Sequence, residues 1–458
     1  MSSRLPARLQ QRSYVSDIEA AASIDLPWGD LDGKTIAISG ASGQIGQVLL
    51  DLLAARARLG DHFNIIALRK QDLPPRGSDE AWPACLTQAA NAPQPGASDI
   101  GVGSDASING EVPAQKNDHG RVSPVAAFQN EPAAMAPSAG SITWIAADLA
   151  DGQSAERLAA NLPNIDYLIH GAALTHPRAY ASAPIDTIET TILGSRTILD
   201  LAIRQPACRL LLLSTVDVYG ADRSGRAHPW REDEAGFIDP LTLRSGYPQA
   251  KRLMESLGVA YAAQYRLDWS VVRLPRVFGP TIKLDDSKAA SQFLLAGAGG
   301  AAIPLESSGE QRFSFLYSVD AALAVMTVLL RGADGQAYNA AHPAWDLRLG
   351  DLARLIAERS GEIAAARLIG SHQSGLSVRA TAESLEQASP RRVKHRPPSP
   401  STQTGQSPVE DARMDASRLI SLGWFPRQTV MAAIDHTLMA LAQRMVSDQV
   451  PMLAGRGA

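Results

Sequence analysis

The stretch from Thr35 to Gly46 constrains the fold of this chain more than any other. Ile36 to Ile38 is a short apolar run that reads as a buried strand. Gly40, Gly43 and Gly46 follow at G-x-x-G-x-x-G spacing, and Ile45, Val48, Leu49 and Leu52 then recur on one helical face. A strand, a glycine turn and a helix opening a βαβ unit form the context in which this motif binds a dinucleotide. Gly40 permits a sharp turn, Gly43 lets a pyrophosphate approach the backbone, and Gly46 lets the helix pack close to the sheet. Free N–H groups at the helix start then face the phosphates. A glycine-rich turn in some other α/β protein is the plain alternative, and the flanking elements favour the dinucleotide.

The rest of the chain repeats this alternation. Strands are expected at 63–68, 141–146, 166–169, 209–213 and 269–274, and helices at 154–162, 184–204 and 247–266. This predicts an α/β fold, a Rossmann-type doubly wound parallel sheet with right-handed crossovers. Ligands of such sheets sit at the carboxyl ends of the strands. Gly40, Asp148, His170, Thr215 and Leu274 all lie near those expected ends. His170, Gly171 and Ala172 open a segment of small residues suited to a flat ligand. The second strand ends at Arg69-Lys70, where an acid often meets the adenosine ribose. A basic pair there suits a 2′-phosphate, so NAD and NADP both stay open; a solvated strand end is the alternative.

Residues 1–30 read as a partly helical extension in which Trp28 is a packing anchor. Residues 31–280 form the dinucleotide-binding domain, and 281–458 a smaller C-terminal α/β region that binds substrate. Residues 71–140, rich in Ala, Pro, Gly, Ser and Asn, read as a disordered surface insertion. Residues 381–408 form a second low-complexity stretch, and its basic cluster from Arg391 to Arg396 reads as a solvated linker. Residues 413–445 read as a closing helical segment.

A net charge of −4 offers no reason to expect nucleic acid or an anionic membrane. The two cysteines, Cys85 and Cys208, form no metal spacing and no disulfide framework, so no metal is expected and a cytoplasmic setting is. No apolar run approaches the ~18 residues of a membrane span. Arg4, Arg8 and Arg12 hint at a transit peptide, but Asp17, Glu19 and Asp25 argue against one.

Tyr247 and Lys251 lie four apart on an expected helix and share a face. A lysine ammonium beside a phenol lowers the phenol's pKa from about 10. Such a tyrosine can accept a proton from a sugar hydroxyl while a nicotinamide takes the hydride. Thr215, at a strand end, is placed to orient the same hydroxyl.

With these residues in hand, the chain resembles the extended short-chain dehydrogenase/reductase family, in particular its NAD-dependent nucleotide-sugar epimerases and dehydratases. The matching residues are Gly40 to Gly46, Asp148-Leu149, His170 to Ala173, Ser214-Thr215, Val218 to Gly220, Tyr247 with Lys251, and Arg273 to Pro280. Tyr317 with Asp320, Tyr338-Asn339 and Leu422 to Trp424 with Pro426 continue the match. The resemblance implies a transient 4-keto sugar, with Tyr247 as base, Lys251 tuning it and holding the ribose, and Thr215 orienting the substrate. It assigns Gly40, Ser42, Gly43, Gln44, Ile45, Gly46, Asp148, Leu149, His170, Gly171, Ala172 and Pro275, with Tyr247 and Lys251, to the cofactor, and Arg69 joins them from its place at the strand end. It also implies a homodimer through the two long helices and hints at surface polysaccharide biosynthesis.

Departures from the family pattern bear on the reaction. Dehydratases usually carry Thr-Asp-Glu where this chain has Thr215-Val216-Asp217, so the usual acid is absent and Asp217 is the remaining candidate base. The stretch from Asp239 to Arg252 is similar to the nucleotide-sugar decarboxylases of the family. Arg244 or Arg276 would suit a substrate carboxylate. Many members have Asn in place of Arg276 and Arg in place of Phe313, which makes Arg312 a further candidate for the diphosphate. Epimerisation or dehydration of a nucleotide sugar is the leading expectation. A UDP-glucuronate decarboxylase-like reaction, an NADP-dependent reductase and a non-catalytic dinucleotide sensor are the alternatives.

Overall fold

The computed structural model describes residues 7–70, 142–372, 392–397 and 409–454. The expected insertion at 71–140 lies outside the described residues, as does 381–408 except for 392–397.

The chain begins with helix α1 (Arg12–Ala22), then strand β1 (Thr35–Ser39), helix α2 (Gln44–Arg58) and strand β2 (Asn64–Arg69). After the insertion come β3 (Ile142–Ala146), α3 (Ser154–Asn161), β4 (Tyr167–His170), the short α4 (Pro177–Ser182) and α5 (Pro184–Ala202). Next are β5 (Arg209–Thr215), α6 (Gly246–Tyr265), β6 (Asp268–Leu274) and β7 (Arg276–Phe278). The later part holds α7 (Ala289–Ala298), β8 (Ile303–Leu305), β9 (Arg312–Tyr317), α8 (Ser318–Arg331), β10 (Gln336–Asn339), β11 (Asp346–Arg348) and α9 (Leu349–His372). It closes with β12 (Val393–His395), β13 (Asp411–Ala412), α10 (Ser417–Ile420) and α11 (Val430–Ala454).

Seven strands form one sheet in the order β10-β6-β5-β4-β1-β2-β3, every pair parallel. The order reverses between β1 and β4, which sets a crevice at their carboxyl ends. Strand β1 is buried along its whole length because both sheet faces are covered. Ile36 and Ile38 pack with Val48, Leu49 and Leu52 of α2. Ala37, Leu168, Leu210 and Leu212 face Ile198, Leu199 and Met254 of α5 and α6.

Three expectations are corrected here. The boundary at residue 280 does not divide the molecule, because β10 returns to the large sheet and pairs with β6. The stretch at 392–397 is not simply a solvated linker: β12 pairs in parallel with β8. The first 30 residues are built into the body of the fold rather than attached to it. Asp51 of α2, 1 % exposed, accepts hydrogen bonds from Arg8 Nε at 2.8 Å and from the Tyr14 hydroxyl at 2.5 Å. Asp17 accepts from Tyr317 at 2.9 Å and from Gln428 at 2.6 Å, and pairs with His436 at 2.7 Å. Buried charges of this kind persist only when paired and hydrogen-bonded, so the N-terminal segment is held to α2, β9 and the C-terminal segment. Trp28 is buried as expected; its Nε1 donates to Ile24 O, and Arg56 lies over its ring. No helix among the described residues is long and apolar enough to cross a membrane.

Candidate active site

A cavity of about 630 Å³ opens at the carboxyl ends of the strands. The glycine turn forms one wall. Gly40 has φ +74°, and a Cβ there would lie 2.7 Å from the Gly171 carbonyl carbon, so β4 leaves the sheet in contact with the turn. The first helical turn of α2 has no side-chain cap, and Gln44, Ile45 and Gly46 line the cavity. Their backbone donors have no partner within the helix and suit a phosphate. These features fit a dinucleotide.

The cavity brings together Gly40, Gly43, Gln44, Ile45, Gly46, Gly171, Thr215, Asp217, Arg244, Tyr247, Lys251, Pro275 and Arg276. It does not include Ser42, Arg69, Asp148, Leu149, His170, Ala172 or Arg312. Leu149 packs into the core. His170 is fully buried, with Nδ1 2.7 Å from Ser39 Oγ and Nε2 3.2 Å from Ser195 Oγ. Burial, with the Lys251 charge nearby, pulls its imidazole down to about 3, so this side chain is neutral. Its role is to join β1, β4 and α5 behind the wall. Asp148 meets Lys70 at 3.3 Å, at the outer corner of the sheet. Arg312 misses the cavity by strand alternation: Gln311, Phe313 and Phe315 line it, and Arg312 is exposed on the opposite side of β9.

The Tyr247–Lys251 pair departs from expectation. Lys251 Nζ donates to Leu213 O at 2.8 Å and lies 3.6 Å from Met254 Sδ. Burial lowers its pKa to about 8, against the opposing effect of Glu255. Tyr247 is not depressed. Burial and the Asp217 charge raise it above its ordinary value, while a Thr215 hydrogen bond and the charges of Arg244 and Arg276 pull the other way. Sharing a helix face therefore brings the lysine near without making it the tyrosine's dominant neighbour.

Asp217 is the other correction. Arg244 Nη2 reaches Asp217 Oδ2 at 2.9 Å, and Arg276 Nη1 reaches Oδ1 at 3.0 Å. Burial alone would raise the Asp217 pKa, but the Arg276 and Arg244 charges outweigh it and hold the carboxyl well below its usual range. A carboxylate held this way is a poor base. Arg276 also lies 5.1 Å from the Phe313 ring centroid, so β7 supplies the guanidinium at this point.

Sequence reasoning missed Tyr180. Its ring stacks on Tyr247 with centroids 4.9 Å apart, and Arg244 lies 4.7 Å from it. Tyr180 belongs to the segment directly after the singled-out residues 170–173, at a strand end where loops carry function. The walls formed by Thr175 to Arg178 and by Lys283 to Gln292 were missed as well. The two walls meet where the Arg178 backbone N–H donates to the Ser287 side chain, Oγ, at 3.1 Å.

Residues 113–341 match the model of the NAD dependent epimerase/dehydratase family. The chain belongs to this family. UDP-glucuronic acid decarboxylase 5 of Arabidopsis thaliana is 32% identical over 182 residues, 40% of this chain and 52% of the relative. UDP-glucuronic acid decarboxylase 1 of Xenopus tropicalis is 35% identical over 156 residues, 34% of this chain and 36% of the relative. The chain thus spans about half the length, or less, of these curated relatives. Two solved structures share the fold, each with TM-score 0.61 and 17% identity. They are a UDP-glucose 4-epimerase of Thermotoga maritima, aligned over 90% of this chain and 99% of that one, and a dTDP-glucose 4,6-dehydratase of Streptomyces venezuelae, aligned over 90% and 98%. The expected fold class and family are those observed.

Proposed function

We propose that this family member oxidises C4 of a nucleotide-linked uronate with a bound dinucleotide and releases the sugar carboxylate as carbon dioxide. The observation that carries this reading is the Arg244–Asp217–Arg276 cluster beside Thr215 and Tyr247. Two guanidiniums face one carboxylate there. Arg244 Nε and Nη1 are buried and have no hydrogen-bond partner among the described residues. The surplus positive charge of the two guanidiniums suits an anionic group on the sugar.

The nicotinamide, when bound, accepts a hydride from C4 and returns it later. Gly43, Gln44 and Ile45 would hold the pyrophosphate, and Lys251 the nicotinamide ribose. Tyr247 takes the proton of the C4 hydroxyl, which Thr215 orients. The ketone leaves the C5 carboxylate in a β-keto acid. Its C–C bond breaks, the electron pair passes into the ring enolate, and carbon dioxide leaves. Water protonates C5 of the enolate, and Tyr247 gives its proton back to the C4 oxygen when the hydride returns, so no base needs to remove a carbon-bound proton. Dehydration requires such a base, and Asp217 is too weak for it. The relatives named as decarboxylases support the same choice.

Incubating the full chain and dinucleotide with uronate and neutral nucleotide sugars, read by mass, tests this. The expected product is a nucleotide-linked pentose, lighter than the uronate by one carbon dioxide. Turnover of neutral sugars with uronates left inert would sink the reading.

The partner we propose is a second copy of this chain. Ile185 and Leu193 of α5 and Leu253 and Val259 of α6 are exposed on two helices that pack side by side. Light scattering at micromolar concentration is expected to give the mass of a dimer, and a monomer would reject it.

A further inference from the structure

We infer that Glu255, outside the cavity, is a positioning residue for Lys251: it ties the ends of β5 and β6 to α6 and sets a negative charge one helical turn from the ammonium. The inference rests on the placement of Lys251 against the dinucleotide in the reading above.

Ser214 Oγ donates to Glu255 Oε1 at 2.5 Å. Arg273 closes a fork on the same carboxylate, with Nε 3.1 Å from Oε1 and Nη2 2.7 Å from Oε2. Ser214 and Arg273 are level with each other in the ladder between β5 and β6. Thr215 follows the first, and Leu274 and Pro275 follow the second; all three line the cavity. One carboxylate on the helix of Tyr247 and Lys251 thus joins two strands at the last residues before the site. The pair is largely shielded, with side chains 15 % and 12 % exposed, so salt screens it little.

Glu255 lies four residues after Lys251 and shares its helix face. The hydrogen-bond contacts of the Lys251 ammonium, Leu213 O of β5 and Met254 Sδ, carry no charge. His170 of β4 and Tyr247 are neutral beside it. In the turns packed on α6, Asp217 and Arg244 pair with each other and act on Tyr247. On α5, Arg196 and Asp200 lie farther along, at Tyr261. Arg252 donates to Val218 O and Gly236 O, and Arg273 is spent on Glu255 and on Tyr219. Glu255 is therefore the charge that favours the ammonium. Burial already brings Lys251 down to about 8 against it, so near neutral pH the proton is held by a narrow margin.

Titration calorimetry of the full chain, stripped of nucleotide, with NAD from about pH 6 to about pH 9 tests this. Parent affinity is expected to fall as pH rises through about 8, where Lys251 gives up its proton. Glu255→Gln keeps the shape and removes the charge. Its fall is expected about one pH unit lower, a loss that approaches about tenfold near pH 9 and vanishes near pH 6. Glu255→Asp keeps the charge and should leave the fall at the parent position. Glu255→Gln combined with Arg273→Gln removes both partners, so neither buried charge is orphaned, and should move the fall in the same direction. A fall at the parent pH in both Gln variants, or NAD weakened equally at every pH by Gln and Asp, makes Glu255 a strut only. Either result overturns the inference and leaves the dinucleotide reading intact. A parent that binds no NAD overturns both.

Discussion

Replacing Tyr247 with phenylalanine is expected to lower turnover by about a thousandfold, the middle of the range for loss of a general acid–base group. The substitution removes one hydroxyl from a group that is 5 % exposed. The ring can still stack on Tyr180 at the same spacing, so the fold and the cavity wall should persist. What disappears is the proton acceptor and its hydrogen bond with Thr215. The loss should fall on kcat rather than KM, because the interaction matters when the proton of the C4 hydroxyl moves. The Tyr247 pKa is raised in this structure by burial and by Asp217, so the phenol is neutral before ligands arrive. The negatively charged Asp217 opposes formation of the phenolate, and the two arginines that hold Asp217 limit that opposition. Steady-state kinetics on the variant check the prediction, with calorimetric binding of the dinucleotide as the control. A variant within threefold of the parent rate would remove Tyr247 from the reaction.

The features that were legible in the sequence are those written in local spacing. β1, the glycine turn and α2 are contiguous, and their apolar periods differ as strand and helix periods must. Tyr247 and Lys251 share a helix, so their common face followed from geometry alone. Asp217 was misread because its partners lie 27 and 59 residues downstream and reach it only through the folded sheet. Its residue type suggests a base; its two guanidinium neighbours make it an ionised anchor. Arg312 was misassigned because the parity of a short strand decides which side chains meet the cavity, and one residue of offset exchanges Arg312 with Phe313. β10 escaped for a related reason. Four residues, Gln336–Asn339, carry little periodic signal, and their place beside β6 is fixed by pairing with a distant segment. The N-terminal segment looked like an extension because the acid that anchors Arg8 and Tyr14, Asp51, sits on the helix after the glycine turn.

That helix also sets the second large expected effect. Gly46→Ala should cost about 3 kcal/mol of stability, at the upper end for overpacking, and weaken dinucleotide binding at least about tenfold. A Cβ on residue 46 would sit 2.6 Å from the Ala41 Cα, with the Gly40 carbonyl oxygen closer still. Both are backbone atoms of the turn, so no side chain can swing aside. Either α2 moves away from β1 or the turn opens. The first course separates Val48, Leu49 and Leu52 from Ile36 and Ile38, which pack in one core. The second displaces Gly40, whose φ of +74° and contact with Gly171 leave it little room. In both cases the backbone donors of Gln44 and Ile45 shift relative to the cavity, so binding and stability fall together. Gly152→Ala is the matched control, since a Cβ there meets nothing within 4 Å, and it should leave both measurements at the parent values. Urea unfolding and nucleotide calorimetry on the two variants decide the matter. If Gly46→Ala matched Gly152→Ala in both, close packing of α2 on the turn would not be what holds the phosphate-binding donors in place.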